Sequence, residues 1–95
     1  MCMIKSFADS ETEKIWNGKK SKKFPSEIHK RVFAKLLIIN SAENEDDLRI
    51  PPGNKFEHLQ GNLKDYCSIR VNSQWRIMFK FQNNEAYELQ IVDYH

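Results

Sequence analysis

The first half of the chain carries apolar residues at the spacing of α-helices. The segment Ser10-Glu11-Thr12-Glu13 has the form of a capping box with acids in the first turn, and Gly18 suits the left-handed position after a helix. Pro25 fits the first turn of a second helix. The apolar residues of this second helix, which should all face the core, are Ile28, Val32, Phe33, Leu36, Leu37 and Ile39. The pattern predicts one helix that ends near Asn17 and another that ends near Asn40.

From Lys55 onward the apolar residues alternate with polar ones, which is the pattern of β-strands with one buried face. The inward positions are Ile69 and Val71, then Trp75, Ile77, Phe79 and Phe81, then Tyr87, Leu89 and Ile91. Upstream, residues 3–7 are a short strand candidate, one helical turn fits within 43–48, and Pro51-Pro52-Gly53 interrupts regular structure. The predicted fold class is α+β: two N-terminal helices packed on a C-terminal antiparallel β-sheet, in a single domain over residues 1–95.

The register of one hairpin follows if the apolar sets of both strands face the core, because a slip of one residue would turn one set outward. The inward pairs are Val71 with Trp75 and Ile69 with Ile77. This leaves a loop over residues 72–74, an acceptable hairpin length. The outward pairs are Arg70 with Arg76, Ser68 with Met78, and Tyr66 with Lys80. The outer face therefore presents two facing arginines together with a further cation and a phenol.

Two facing arginines repel each other, which costs a few tenths of a kcal/mol up to ~1 kcal/mol. In one interpretation Arg70 and Arg76 form a phosphate site, because a guanidinium binds phosphate oxygens with two aligned donors. Replacing either arginine should then leave stability unchanged or slightly raised. In the other interpretation the two side chains lie on an exposed edge or pair with nearby acids, and their removal lowers stability.

Composition and charge narrow the class of protein. Hydrophobic residues make up 40% of the chain and aromatic residues 12%, which can build a core and excludes a disordered chain. The net charge is +2, but residues 14–35 hold eight basic residues against the single acid Glu27. The lysine run of this segment consists of Lys19, Lys20, Lys22 and Lys23. This run binds a polyanion without sequence preference, contacts a partner protein, or is a solvated loop.

The sequence also indicates where the protein works. It has no apolar run near the ~20 residues of a membrane span and no apolar segment typical of a signal peptide. The two cysteines, Cys2 and Cys67, give neither a disulfide scaffold nor metal-ligand spacing, and Cys67 should be a buried thiol. We therefore expect a cytoplasmic protein with reduced thiols, no membrane association, no metal and no cofactor.

The sequence closes on Asp93-Tyr94-His95. The pKa of an ordinary histidine, near 6.5, suits proton transfer at neutral pH. By alternation from the strand of Arg76, Tyr94 falls on the arginine face if the strand continues that far. These residues are either an inert tail or the proton-transfer part of a phosphodiester-cleaving site. His58 is similarly open between a contact on a strand face and a role near the site.

Several segments together carry a family resemblance: Pro51-Pro52-Gly53-Asn54, Leu59-x-Gly61, residues 68–79 and the closing Asp93-Tyr94-His95. With them the chain resembles the HigB toxins of the RelE/ParE superfamily of toxin–antitoxin systems. The resemblance implies the RelE-like microbial ribonuclease fold. It also implies a ribosome-dependent mRNA endonuclease that arrests growth. The implied partners are the ribosome, mRNA and a HigA-type helix-turn-helix antitoxin, which neutralises the toxin in a hetero-oligomeric complex that binds operator DNA.

The resemblance assigns roles to individual residues. Arg76 is implied to hold the scissile phosphate, and Arg70 matches an arginine common in the wider superfamily. The other implied catalytic residues are Asp93, Tyr94 and His95, and the RNA-binding residues expected beside the lysine run are Lys64, Asn72 and Lys80. The chain departs from some HigB proteins in having Gln60 where they carry a lysine. Either Lys64 takes the place of that lysine or no residue does.

The expected chemistry is metal-independent RNA cleavage, in which the ribose 2′-hydroxyl attacks the adjacent phosphorus and a 5′-hydroxyl leaves. His95 is the best candidate for general acid or base, with Tyr94 stacking on a base or sharing proton transfer and Asp93 orienting the histidine. Dependence on the 2′-hydroxyl predicts that RNA is cleaved and DNA is not. The alternatives are a ParE-like toxin that acts by binding DNA gyrase and an RNA-binding domain without catalysis.

Overall fold

A computed structural model of the chain describes residues 4–93. The helices are α1 over Ser10–Trp16 and α2 over Ser26–Ser41, with short 3₁₀ helices over Glu45–Arg49, Pro52–Asn54 and Gly61–Leu63. The strands are β1 over Glu57–His58, β2 over Tyr66–Arg70, β3 over Trp75–Gln82 and β4 over Glu85–Asp93. They form one antiparallel sheet in the order β1-β2-β3-β4. The predicted α+β arrangement, with its helical turn before the sheet, is confirmed.

The ends of the helices follow the sequence closely, with two corrections. Pro25 is the N-cap of α2 and not part of its first turn, because its ψ of 137° is not helical. The N-cap of α1 is Asp9 and not Ser10, because Asp9 Oδ1 accepts from the backbone N–H of Glu11 at 3.0 Å and Oδ2 accepts from the hydroxyl of Thr12 at 3.1 Å. Ser10 is thus the first helical residue. The predicted end of α1 is confirmed, since Gly18 takes the left-handed conformation with φ 81°.

The hydrophobic core lies between the two helices and one face of the sheet. Val32, Leu36 and Ile39 of α2 are fully buried against strand residues that include Ile69, Ile77, Phe79 and Leu89. Phe33 and Leu37, which were expected in the core, are 38% and 46% exposed. Each follows a buried position by one residue, and one residue turns the side chain by about 100° around the helix axis. Among the described residues, no helix has the length and apolar character needed to cross a bilayer.

The segment before α1 joins the sheet without forming a regular strand. Ile4 and Phe7 make isolated parallel bridges to Ala86 and Leu89 of β4. The strand candidate over 3–7 is therefore reduced to two bridges, and Met3 lies outside the described residues. This segment covers the edge of β4, which would otherwise present unpaired backbone groups.

The predicted register of the β2–β3 hairpin is confirmed at every pair. Arg70 faces Arg76, and the backbone N–H of Val71 donates to the carbonyl of Trp75 at 2.9 Å. Asn72 shapes the loop, because its Oδ1 accepts from the backbone N–H groups of Gln74 and Trp75, both at 2.8 Å. The side-chain oxygen of Asn72 is thus part of the turn.

A β-bulge in β4 changes the face on which one predicted core residue lies. Met78 pairs with Gln90 and Lys80 pairs with Tyr87, so β4 has one residue more than β3 in this interval. Glu88, inside the bulge, has φ 54°. Tyr87 therefore lies on the outer face with Lys80, and the prediction that it faces the core is wrong.

The structure confirms Cys67 as a buried thiol. Its side chain is 3% exposed, and burial raises the pKa of the thiol to about 12, with a smaller contribution from the carboxylate of Glu45.

In a Cys2→Ser background, Cys67 should therefore resist alkylation at pH 8 in the folded protein and react at once in denaturant. The buried, protonated thiol of Cys67 should contribute fully to the free energy of unfolding below its ordinary pKa of about 9. That contribution should be lost as the pH rises towards 12. Rapid alkylation of the folded protein would contradict this.

Candidate functional site

The loop that precedes β1 and the tip of the β2–β3 hairpin enclose a hollow of about 300 Å³, here named the arginine hollow. Its lining residues are Lys55, Glu57, Arg70, Asn72, Ser73 and Arg76. The structure thus brings the two predicted arginines into one concave site. Three cations and one carboxylate meet there, which is an arrangement suited to an anionic ligand.

Arg76 forms the buried wall of the arginine hollow. It is 6% exposed, and its Nε donates to Ser68 Oγ at 2.9 Å. Its Nη2 donates to the carbonyl oxygens of Lys55 at 2.6 Å and of Ser68 at 3.4 Å, and lies 3.6 Å from a carboxylate oxygen of Glu57. These contacts fix the guanidinium in one orientation. Because these contacts join β1, β2 and the preceding loop, we now expect stability to depend on Arg76, in contrast to the expectation from the sequence.

The loop over residues 51–55 takes its shape from a buried amide. Asn54 is fully buried, and its Nδ2 donates to the carbonyls of Leu48 and Ile50, both at 3.1 Å. Lys35 Nζ donates to the remaining polar atom, Oδ1. The next residue, Lys55, has φ 48° and ψ 48°, a conformation that few non-glycine residues adopt, and its carbonyl accepts from Arg76. This structural role of Asn54 was not expected from the sequence, although the Pro-Pro-Gly-Asn segment was the available signal.

Arg70 is the accessible member of the arginine pair. Its side chain is partly exposed, and it lines both the arginine hollow and a neighbouring groove of about 630 Å³. Within residues 4–93, no carboxylate lies within ion-pairing distance of its guanidinium. Arg70 therefore places a positive charge without an ion-pair partner in the arginine hollow, next to the Arg76 guanidinium, which its hydrogen bonds hold in one orientation.

A second hollow of about 300 Å³ lies on the other side of Arg76 and is mostly apolar. It is lined by Leu59, Leu63, Ser68, Arg76, Met78 and Val92. Arg76 thus contributes to two walls, one facing a polar space and the other facing an apolar one.

Two of the predicted RNA-binding residues lie away from the arginine hollow. Lys80 forms an ion pair with Glu88 at 3.7 Å and lies 5.2 Å from the ring centroid of Tyr66. It belongs to a separate hollow near Gln82. Lys64 follows the third 3₁₀ helix and is exposed. Asn72 does line the hollow, with its side-chain oxygen held in the hairpin turn.

The lysine run also lies elsewhere. Lys19 and Lys20 line a further hollow, between α1 and α2 beside Phe33, and Lys22 is exposed. Lys23 forms an ion pair with Asp9 at 3.4 Å. The run therefore forms its own basic surface, and its role in RNA binding stays a prediction.

Of the three catalytic residues predicted at the end of the sequence, the structure describes Asp93, which was expected to orient His95. It is exposed, and one of its carboxylate oxygens accepts from Gln74 Nε2 at 3.3 Å. Tyr94 and His95 lie outside the described residues. His58 contacts the carboxylate of Glu45 and packs against the edge of Phe56, so a strand-face contact accounts for it.

Comparison with known proteins identifies the family. The model of the HigB-like toxin family, described as the RelE-like toxin of the type II toxin–antitoxin system HigB, matches residues 5–95. The chain belongs to this family. Toxin HigB-1 of Vibrio cholerae is 47% identical over 85 residues, which cover 88% of this chain and 90% of that protein. Endoribonuclease HigB of Proteus vulgaris is 32% identical over 93 residues, covering 98% of this chain and all of the relative.

Solved structures confirm the fold of this HigB-like toxin. YafQ from Escherichia coli superimposes with a TM-score of 0.58 at 19% identity, covering 98% of this chain and 93% of YafQ. A YoeB chain in the YoeB–YefM complex from Staphylococcus aureus gives a TM-score of 0.60 at 20% identity, covering all of this chain and 98% of the other. The fold is thus that of the RelE-like toxins, in agreement with the family match. Membership of a type II toxin–antitoxin family implies an antitoxin as partner.

Proposed function

We propose that this HigB-like toxin is a metal-independent endoribonuclease that cleaves mRNA on the ribosome and so stops translation. The observation that carries the proposal is the pairing of Arg70 with Arg76 in one hollow. The support from relatives is the 32% identity to a protein named Endoribonuclease HigB. A gyrase-binding mode of action has no comparable support among the described residues, because their concave basic site suits an anionic ligand.

In this proposal the two arginines have different tasks. Arg70, partly exposed and without a carboxylate partner within residues 4–93, binds the scissile phosphate directly. Arg76, held by Ser68 and by the carbonyl of Lys55, is a donor that needs no reorganisation during the reaction. Pre-oriented donors of this kind stabilise the charge that develops on phosphorus in the transition state.

Glu57 extends the proposed chemistry beyond what the sequence indicated. Its carboxylate lines the arginine hollow and lies 3.6 Å from Arg76, so it can accept the proton of the ribose 2′-hydroxyl. The 2′-oxygen then bonds to phosphorus, the bond from phosphorus to the 5′-oxygen breaks, and His95 donates a proton to the leaving oxygen. Tyr94 is proposed to stack on a base, and Asp93 to orient His95.

The proposed partners follow from the same function. The ribosome presents the message, and a HigA-type helix-turn-helix antitoxin neutralises the toxin and binds operator DNA in complex with it. Such partners require a cytoplasmic protein. The basic groove and the lysine run offer sequence-independent contacts to RNA phosphates.

The test is cleavage of a defined message on purified ribosomes. The wild-type toxin should cut an all-ribose message and leave intact the same message with a single 2′-deoxyribose at the cleavage position. His95→Ala should bind programmed ribosomes as the wild type does, yet cleave about 10²-fold more slowly, because it removes a proton-transfer group and no major charge contact. Inhibition of DNA supercoiling with the message left intact would contradict the proposal and favour the gyrase-binding alternative.

A further inference from the structure

The groove next to the arginine hollow contains a second pair of cations that sequence analysis did not single out. Arg31 and Lys35 are four residues apart on α2, so they lie one above the other on the same helix face. Both line the groove of about 630 Å³ that Arg70 also lines. Like charges at this spacing destabilise a helix slightly, so helix stability does not explain why both positions carry a cation.

The cationic side chains of Arg31 and Lys35 donate hydrogen bonds to neutral acceptors. Arg31 Nη1 donates to the carbonyl of Val71 at 3.3 Å, and Lys35 Nζ donates to the side-chain oxygen of Asn54. Neither acceptor carries a charge, so both contacts orient the cations without neutralising them. The eight residues that line the groove, all within the described part of the chain, include three cations and no acid. Burial, and to a lesser extent Arg31, lowers the pKa of Lys35, which fits two cations crowded into one space.

The groove and the arginine hollow are parts of one continuous surface. Arg70, Asn72 and Ser73 line both of them, so the two spaces meet at the tip of the β2–β3 hairpin. A single-stranded RNA carries one phosphate per nucleotide. A strand whose scissile phosphate lies between Arg70 and Arg76 must continue in some direction, and this groove is the adjoining basic space.

We propose that Arg31 and Lys35 form a second phosphate-binding subsite, which holds a backbone phosphate of the RNA strand next to the scissile one. The proposal rests on the proposed nuclease function and adds to it the part of the surface that places the strand. Because both contacts are to phosphate, the subsite reads no sequence. Its task is to hold the strand in register, so that the scissile phosphate meets Arg70.

The experiment removes one phosphate charge at a time. Short messages that resist cleavage through 2′-O-methyl ribose at the cut site carry a single uncharged methylphosphonate at successive positions around that site. The affinity of the toxin for ribosomes programmed with each message is then measured. In the wild type, one flanking position should weaken binding about 10-fold, as expected for loss of a charge-assisted contact. In the Arg31→Gln/Lys35→Gln variant the same position should change affinity less than about 2-fold.

Two further variants test whether the effect belongs to Arg31 and Lys35 and not to basic residues elsewhere on the surface. Lys14→Gln/Lys30→Gln removes the same charge at two exposed positions outside the groove, and it should keep the full penalty at the flanking position. Arg31→Gln alone, at an exposed residue, should fold as the wild type does and lose part of the penalty. A thermal melt checks that each variant is folded.

The outcomes separate this proposal from the function on which it rests. If the wild type cleaves natural message but shows no penalty at any flanking position, the subsite is wrong and the nuclease stands. The same holds if the penalty persists unchanged in Arg31→Gln/Lys35→Gln. If the wild type neither binds programmed ribosomes nor cleaves their message, the nuclease function fails and the subsite fails with it.

Discussion

Replacing Arg76 by alanine should lower the melting temperature as well as abolish cleavage. Arg76 is 6% exposed and donates to Ser68 Oγ and to the carbonyl of Lys55, so its removal leaves one buried and one partly buried acceptor without their donor. Loss of charge-assisted hydrogen bonds of this kind should cost about 2 to 4 kcal/mol of unfolding free energy. For a domain of this size the melting temperature should fall by roughly 10 to 20 °C, which differential scanning calorimetry would detect.

Two controls separate the structural from the catalytic contribution of Arg76. Ser68→Ala removes the acceptor of the Nε donor and keeps the guanidinium, so it should lose less stability than Arg76→Ala and retain measurable cleavage. Cleavage by each variant is measured well below its own melting temperature, where the protein is folded. An Arg76→Ala variant that melts at the wild-type temperature would show that the contacts of Arg76 do not stabilise the fold. One that melts earlier yet still cleaves message would exclude Arg76 from the active site.

The register of the hairpin could be predicted from sequence because it depends on a local rule. Alternation of apolar residues along β2 and β3 allows one pairing, and the structure has that pairing from Tyr66 with Lys80 to Arg70 with Arg76. The ends of the helices could be predicted for the same reason. Gly18 favours the end of a helix just before it and Pro25 favours the start of one just after it, which are local effects.

The burial of Arg76 could not be predicted, because the residues that cover it are not regular in sequence. β1 has only Glu57 and His58, too few for an alternating pattern. Its position beside β2 depends on the preceding loop, which the buried amide of Asn54 holds through contacts to Leu48 and Ile50. Without that strand, the outer face of the hairpin would be exposed, as the sequence suggested.

The same distinction explains what was missed in the candidate site. A β-bulge inserts one residue into β4 and reverses the faces before it, and alternation alone cannot detect this at Tyr87. Arg31 and Lys35 looked like part of a solvated helix face within a basic segment. Only the docking of α2 beside the hairpin brings them near Arg70. Long-range placement, and not local propensity, thus determines the extent of the basic surface.

Replacing Arg70 by glutamine should produce the opposite combination from Arg76→Ala: cleavage is lost and stability is kept. Arg70 is partly exposed and has no carboxylate partner within residues 4–93, so the fold loses little when its charge is removed. Relief of the repulsion from Arg76 should offset that loss, and the unfolding free energy should stay within about 0.5 kcal/mol of wild type or rise slightly. Cleavage on ribosomes should fall about 10²-fold, as expected when one donor to a developing negative charge is removed.

Arg70→Lys is the decisive companion to Arg70→Gln. Lysine keeps the positive charge but not the two parallel donors of a guanidinium, so this variant should bind programmed ribosomes nearly as the wild type does and recover only part of the cleavage rate. Lys30→Gln removes one charge from an exposed position of α2 outside the hollow and serves as the matched control for net charge. If Arg70→Gln loses no more activity than Lys30→Gln, Arg70 contributes only to the general field of the basic surface. The scissile phosphate must then be held without it, and the arginine pair is not the catalytic centre.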